Sequence, residues 1–322
     1  LITEKDINNN LIFPFLKGEG KQNNIRSRTE TINYDGIDYF LKTSNIDLAS
    51  EAMALETANK LVAKDLSVSS VPFVYYSRDH NVLITEFVSG KSLFNEVWNN
   101  TSALRFLTFP NATRPDWVVV FTEIYEWISL FHMCSLNSEN SITRSKEIKN
   151  KLAEDINRKI FNIHLLAPSI FTKKEWEILN KLAGMGEDSE WQSMSASHIH
   201  GDFTLSNMII NNKKVFILDF ADTREGFIIE DIVRMWAILW EVSQCGLKRY
   251  QALSPVLEQI VSCCCDAEKK SNKPFMYLRI FNAIIRIHES LAATSLLSWS
   301  TRLILKKLAK IQLYFLKNEV LN

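Results

Sequence analysis

One short constellation constrains this 322-residue chain more than anything else in it: His200-Gly201-Asp202-Phe203-Thr204-Leu205-Ser206-Asn207, followed at short range by Phe216-Ile217-Leu218-Asp219-Phe220. Residues 208–210 and 215–218 read as two short β runs joined by Asn211-Asn212-Lys213-Lys214. Such a joint makes an antiparallel hairpin, whose strands lie about 4.8 Å apart. Asn207, just before the first strand, and Asp219, just after the second, then emerge at the same end. An amide oxygen beside a carboxylate is an oxygen site suited to magnesium. Asp202 sits on the loop that enters the hairpin, close enough to take a proton from a substrate hydroxyl.

Around this centre the chain divides in two. Residues 1–88 read as a mainly β lobe. An apolar strand is expected at 11–16, and a hairpin at 28–43 turns on Asp35-Gly36. Two further strands are expected at 71–76 and 81–88. Between them, Ala49, Ala52, Leu55, Ala58 and Val62 mark an amphipathic helix over 48–64. Ser89-Gly90 breaks the pattern, and residues 89–322 read as a second, helical lobe. Its helices are expected at 117–133, 146–165 and 173–182, and from 232 to the end, with a β interruption at 209–220.

Composition narrows the partners. Lysine plus arginine equals aspartate plus glutamate, 37 each, so the basic excess of a nucleic-acid binder is missing. No apolar run reaches the roughly 18–20 residues that span a bilayer. Five cysteines, three of them consecutive at Cys263, Cys264 and Cys265, include no CxxC pair. They read as reduced thiols, and the chain is expected to be soluble and cytoplasmic.

Phosphoryl transfer asks for positioned reactants, cations on the triphosphate and a carboxylate that orients the attacking hydroxyl. The Asp-x4-Asn spacing also occurs in the protein-kinase catalytic loop, with a metal-binding Asp-Phe downstream. Here Gly201, not arginine, precedes the base. The His-Gly-Asp-x4-Asn form with Ile217-Leu218-Asp219-Phe220 resembles the aminoglycoside phosphotransferase and choline kinase superfamily.

That resemblance runs along essentially the whole chain. It implies an α+β, bilobal, protein-kinase-like fold with a small β-rich N-lobe and a large helical C-lobe. It implies Asp202 as catalytic base, Lys42 as the lysine gripping the α- and β-phosphates, and Glu51 as its helix partner, with Glu56 the competing choice. Asn207 and Asp219 would hold Mg2+. Ile84-Thr85-Glu86-Phe87-Val88-Ser89-Gly90 would be the hinge, where the backbone of Glu86 and Val88 meets the adenine of ATP or GTP. His132 would be structural, and Asp231 would brace the catalytic loop; His200 is read as a loop brace as well.

The chain departs from the kinase pattern in two places. The phosphate loop carries only Gly18 and Gly20 and does not match G-x-G-x-x-G, so Gln22, Asn23 or Asn24 are alternative contacts. Ala221 stands where Asp-Phe-Gly would place glycine. The resemblance implies transfer of the γ-phosphate to a hydroxyl of a small molecule, a sugar, amino sugar or amino alcohol. Alternatives are a kinase of a larger acceptor, a surface glycan or a protein, and a non-catalytic nucleotide-binding scaffold. Glu225, Trp236, Trp240 and Glu241 are candidate acceptor-lining residues, although the two tryptophans, one helical turn apart, read more readily as core. The end of the chain is basic, with Arg302, Lys306, Lys307, Lys310 and Lys317, which argues against a polycationic acceptor. The helix over 303–317 reads as a solvated face over a packed stripe, or as a membrane-surface helix.

Overall fold

Alternation builds the first sheet. The hairpin of β1 (Ser27–Tyr34) and β2 (Ile37–Ser44) turns on Asp35 and Gly36. Their φ values of 53° and 77° are the left-handed pair of a type I′ turn. In β2, Tyr39 and Leu41 are buried on one face while Phe40 and Lys42 lie half-buried on the other, as a period of two requires. A computed structural model describes residues 7–12, 15, 27–61, 67–102, 115–134, 141–184, 188–192, 194–268, 273–292 and 299–321.

Helix α1 (Ala49–Asn59) follows β2, and then come β3 (Val68–Ser70), β4 (Phe73–Ser77) and β5 (Val82–Glu86). The first sheet has the order β1-β2-β5-β4. Asn59 stitches α1 to the strands, with Nδ2 donating to the carbonyls of Leu55 and Val71 and Oδ1 accepting from the Phe73 N–H. The strand expected at 11–16 is corrected. Asn8–Ile12 forms a π-helical turn, and Leu11, Ile12 and Phe15 are all buried against Tyr39, Leu41, Val82 and Ile84. The i, i+1, i+4 spacing of those three places them on one helical face, whereas a strand would send neighbours to opposite sides.

The second lobe begins with β6 (Lys91–Ser92) and α2 (Leu93–Asn100), the latter N-capped by Ser92 Oγ accepting from the Asn95 N–H. Helices α3 (Trp117–Cys134), α4 (Ser141–Leu166), α5 (Lys173–Leu182) and the short α6 (Asp188–Gln192) come next. They are followed by β7 (Ala196–Ile199), the hairpin β8 (Met208–Asn211) and β9 (Lys214–Ile217), and β10 (Arg224–Phe227). Helices α7 (Ile228–Ser243), α8 (Leu247–Glu268), α9 (Lys273–Ala292) and α10 (Trp299–Phe315) complete the lobe. The expected helices at 117–133, 146–165 and 173–182 are present, as are the 28–43 and 208–218 hairpins.

Short strands missing from the sequence reading hold the two lobes together. In a mixed sheet of order β3-β9-β8-β6, β3 lies parallel to β9 and β6 antiparallel to β8. The hairpin carrying Asn207 and Asp219 is therefore flanked by chain from both sides of the lobe junction. At Gly90, a Cβ would stand 2.5 Å from Ile209 Cγ2 and 2.6 Å from the Ile210 carbonyl oxygen, so only glycine lets the chain cross here.

Candidate active site

The loop between β7 and β8 is held from below by one buried acid. Asp231, in the first turn of α7, accepts the His200 N–H (2.8 Å) through Oδ2 and the Gly201 N–H (2.9 Å) through Oδ1. His132 Nε2, from α3, lies 2.9 Å from the same Oδ2. Burial acts to raise the Asp231 carboxyl, but these bonds outweigh it and hold its pKa below the ordinary value. The His200 ring faces the other way: Nε2 donates to the Leu218 carbonyl (2.9 Å), and the ring packs on Phe220. His200 thus ties the loop to the end of β9.

Glycine before Asp202 is a steric requirement. Gly201 has φ +80°, and a Cβ there would lie 2.1 Å from the Asp222 carbonyl oxygen. No side chain fits, arginine least of all. The neighbouring Asp202 is half-buried and engaged at both oxygens. Asn207 Nδ2 donates to Oδ2 (2.8 Å) and to the Asp202 carbonyl (3.0 Å). Arg234 Nε donates to Oδ1 (2.7 Å), with Nη2 at 2.5 Å.

The other half of the site comes from the first lobe. Lys42 Nζ donates to both Glu51 oxygens (2.9 Å each) and to Asp219 Oδ1 (3.1 Å). Glu51 is 5% exposed and Lys42 12%, whereas Asp219 is 52% exposed. Burial acts to lower the Lys42 ammonium, but the two carboxylates outweigh it and raise its pKa. Burial also pushes the Glu51 carboxyl up, Lys42 only partly offsetting this. Glu56 pairs with Lys60 on the surface instead. Asp219 has φ +54°, the left-handed turn that ends β9 and brings its carboxylate toward Lys42.

Lys42, Glu51, Asn207 and Asp219 line one cavity of about 380 Å³ between the lobes. Its remaining walls are mostly apolar: Phe40, Leu55 and Val71 on the first-lobe side, Ile209 and Leu218 on the hairpin. Glu86, Phe87 and Val88 line it as well. Gly18, Gly20 and the alternative Gln22, Asn23 and Asn24 lie outside the described residues, as do the side chains of Cys263, Cys264 and Cys265. Asp202 lines a second, polar cavity of about 200 Å³, together with Thr204, Ser206, Arg234, Glu241, Arg286 and Glu289 among others.

Residues 159–251 match the sequence profile described as the phosphotransferase enzyme family. No curated protein matches the chain. Among solved structures, a glucosamine kinase in complex with glucosamine, ADP and inorganic phosphate aligns with a TM-score of 0.57 at 9% identity, covering 91% of this chain and 79% of that one. A candidate aminoglycoside phosphotransferase from Ralstonia eutropha aligns at 0.53 and 14% identity, covering 94% and 97%. Over residues 159–251 the chain is similar to the phosphotransferase enzyme family. Its fold is the bilobal α+β arrangement of these kinase-like proteins.

Three of the four candidate acceptor residues do not line the second cavity. Glu225 is on β10, half-exposed and paired with Arg144 (2.7 Å). Trp236 and Trp240 pack in the core with Phe275, Phe315 and the guanidinium of Arg279, so their bulk fills space behind the site. Glu241 alone reaches the second cavity. Arg234 went unrecognised, although a signal existed: it interrupts the apolar run Ile232-Val233-Arg234-Met235-Trp236, three residues after Asp231 and on the same helix face. No helix of the described residues is long and apolar enough to cross a membrane. Leu308 and Gln312 of α10 are buried, which makes that helix a packed one.

Proposed function

We propose that the protein is a magnesium-dependent kinase that moves the γ-phosphate of ATP or GTP to a hydroxyl of a small molecule. The observation that carries this reading is the convergence of Lys42, Glu51, Asn207 and Asp219 on one interlobe cavity, with Asp202 on an adjoining polar one. The apolar stretch of the first cavity suits a purine, and the backbone of Glu86 and Val88 would hydrogen-bond its edge. Lys42, kept cationic and oriented by Glu51, would bind the α- and β-phosphates.

Asn207 and Asp219 fit a magnesium ion. They offer hard oxygen donors, and the Asp219 carboxylate is half-exposed at the cavity. Among the described residues no cluster of three or more His, Cys, Asp or Glu side chains suited to a metal occurs. Magnesium at a nucleotide asks for less, since phosphates and waters complete its octahedron. When bound, it would neutralise charge on the β- and γ-oxygens.

Asp202 would accept the proton of the acceptor hydroxyl as that oxygen bonds to the γ-phosphorus. The bond to the β–γ bridging oxygen breaks, the nucleoside diphosphate leaves, and the proton passes from Asp202 to solvent. Arg234 and Asn207 would hold the carboxylate in line for this. The lobe division at 1–88 and 89–322 belongs to the same proposal, supported by the 87–89 link between β5 and β6 and the glycine crossing at Gly90. A nucleoside triphosphate donor argues for a cytoplasmic setting.

The test is nucleoside-diphosphate release with ATP or GTP, magnesium and a panel of sugars, amino sugars, choline and aminoglycosides. Acceptor-dependent release should fall by at least about 100-fold in Asp202→Ala, with nucleotide affinity retained. Release that persists in that variant would overturn the assignment.

A further inference from the structure

The second cavity, unlike its mostly apolar neighbour, is polar, and it too is built on buried charge. Glu241, on α7, is 1% exposed and is held from two further helices. Gln312 of α10 donates to its Oε1 (2.5 Å), and Arg286 Nε of α9 lies 3.3 Å from the carboxylate. Gln312 in turn accepts from the buried Arg279 (2.7 Å). Burial raises the Glu241 carboxyl, the neighbouring cations only partly offsetting it. A carboxylate is costly to bury, and this one leaves Oε2 without a hydrogen-bond partner. What the network achieves is to fix Arg286. That side chain gives Nε to Glu241 and Nη1 to Glu289 (2.8 Å), so Nη2 keeps no protein partner among the described residues while Arg286 lines the cavity beside Asp202.

Two properties restrict what can bind here. The volume, about 200 Å³, lies below the roughly 300–1,000 Å³ of sites for larger ligands, so it accommodates one ring. The charges are nearly matched. Arg234 pairs with Asp202, and Arg286 with Glu241 and Glu289. Three carboxylates thus face two guanidiniums, and the single negative charge left over is too little for a polycation and the wrong sign for a polyanion. Alternating fixed donors and acceptors are what a set of hydroxyl groups requires.

We propose that this cavity is the acceptor subsite and takes a single polyhydroxyl ring, with Arg286 as the donor that selects it and Glu241 as the residue that positions Arg286. The proposal rests on the kinase reading for its role in turnover, but the binding it claims is independent of transfer.

The experiment is calorimetry with the full chain, magnesium and a non-hydrolysable ATP analogue, titrating D-glucose, D-glucosamine, myo-inositol and, as the multi-ring polycation, kanamycin. Turnover is measured in parallel. At least one single-ring compound should bind, and Arg286→Met should weaken it at least 10-fold, with Arg286→Lys intermediate. Glu241→Gln should raise the acceptor KM more than it lowers kcat, without changing nucleotide KM. Glu289→Ala, at the half-exposed rim, keeps the test valid if the Glu241 variant does not fold, and should raise acceptor KM several-fold. Binding of single rings without any turnover would support the subsite and sink the kinase reading. Turnover of kanamycin indifferent to Arg286→Met, or failure of every single-ring compound to bind, would overturn the subsite.

Discussion

Arg234 grips one oxygen of Asp202, with Nε at 2.7 Å and Nη2 at 2.5 Å, while Asn207 holds the other at 2.8 Å. The proposed base is therefore oriented from two elements, helix α7 and the start of the β8–β9 hairpin. Arg234→Ala should lower kcat by about 10- to 100-fold, the scale of a misplaced reacting group, with nucleotide KM unchanged. Arg234→Lys keeps the charge but loses the fork, and should recover only part of the rate. Steady-state kinetics on the three proteins decide this; a wild-type kcat in Arg234→Ala would remove Arg234 from the machinery.

Gly201 admits no Cβ, since the Asp222 carbonyl oxygen occupies that position at 2.1 Å. Gly201→Ala should destabilise the protein by roughly 2–4 kcal/mol, from backbone strain plus the displaced Asp222 turn. Denaturant melts would show it. A stable, active Gly201→Arg variant would contradict the geometry of the whole loop.

Asp231 supplies a pH dependence whose sign follows from its depressed pKa. Above its ordinary value of 3.8 both folded and unfolded chains carry the carboxylate, and its contribution is complete. As pH falls below that value the unfolded chain takes up the proton first, and the contribution is lost as pH passes through the lower folded value. At pH 7, Asp231→Asn should cost about 3 kcal/mol through buried donors left unmatched. The gap between wild type and variant should narrow toward pH 3 in urea melts. A gap independent of pH would mean that Asp231 acts as a neutral group.

The Lys42–Glu51–Asp219 cluster predicts graded effects on the nucleotide. Lys42→Met should raise nucleotide KM about tenfold or more, since it removes the cation that would meet the phosphates and leaves the Glu51 carboxylate facing them unpaired. Glu51→Gln should do less, because the amide still accepts from Lys42. Chelating magnesium should weaken nucleotide binding in the wild type more than in Asp219→Ala, which has already lost the carboxylate. Equal nucleotide affinity in wild type and Asp219→Ala would sink the metal assignment.

The hairpin part of this site was legible because its residues are local, whereas Lys42 and Glu51 followed only from the family resemblance. The hairpin between Asn207 and Asp219 needs only two short β runs and a turn, and its register brings its ends together. Period-two alternation in β2 places Lys42 opposite the buried Tyr39 and Leu41. The choice between Glu51 and Glu56 was settled differently. Both lie on α1, but only Glu51 is carried by the helix's packing to the face that meets β2. The strand expected at 11–16 failed for a related reason, since apolar content alone does not distinguish a buried turn of helix from a strand.

From the amino-acid sequence alone came a β-rich first part and a helical second part, most of the helices, and the hairpin with an amide and a carboxylate at its ends, all set by short-range spacing. Beyond the Lys42–Glu51 pair implied by the resemblance, the tertiary structure alone decided which cations meet which carboxylates. Arg234 on Asp202, Arg286 on Glu241 and Lys42 on Asp219 are separated by 32, 45 and 177 residues. Strands of two to four residues, such as β3 and β6, exist only because β9 and β8 offer them hydrogen-bond partners. An ion pair or a short strand draws its free energy from a neighbour that the local sequence does not specify, so such features emerge only once the lobes are packed.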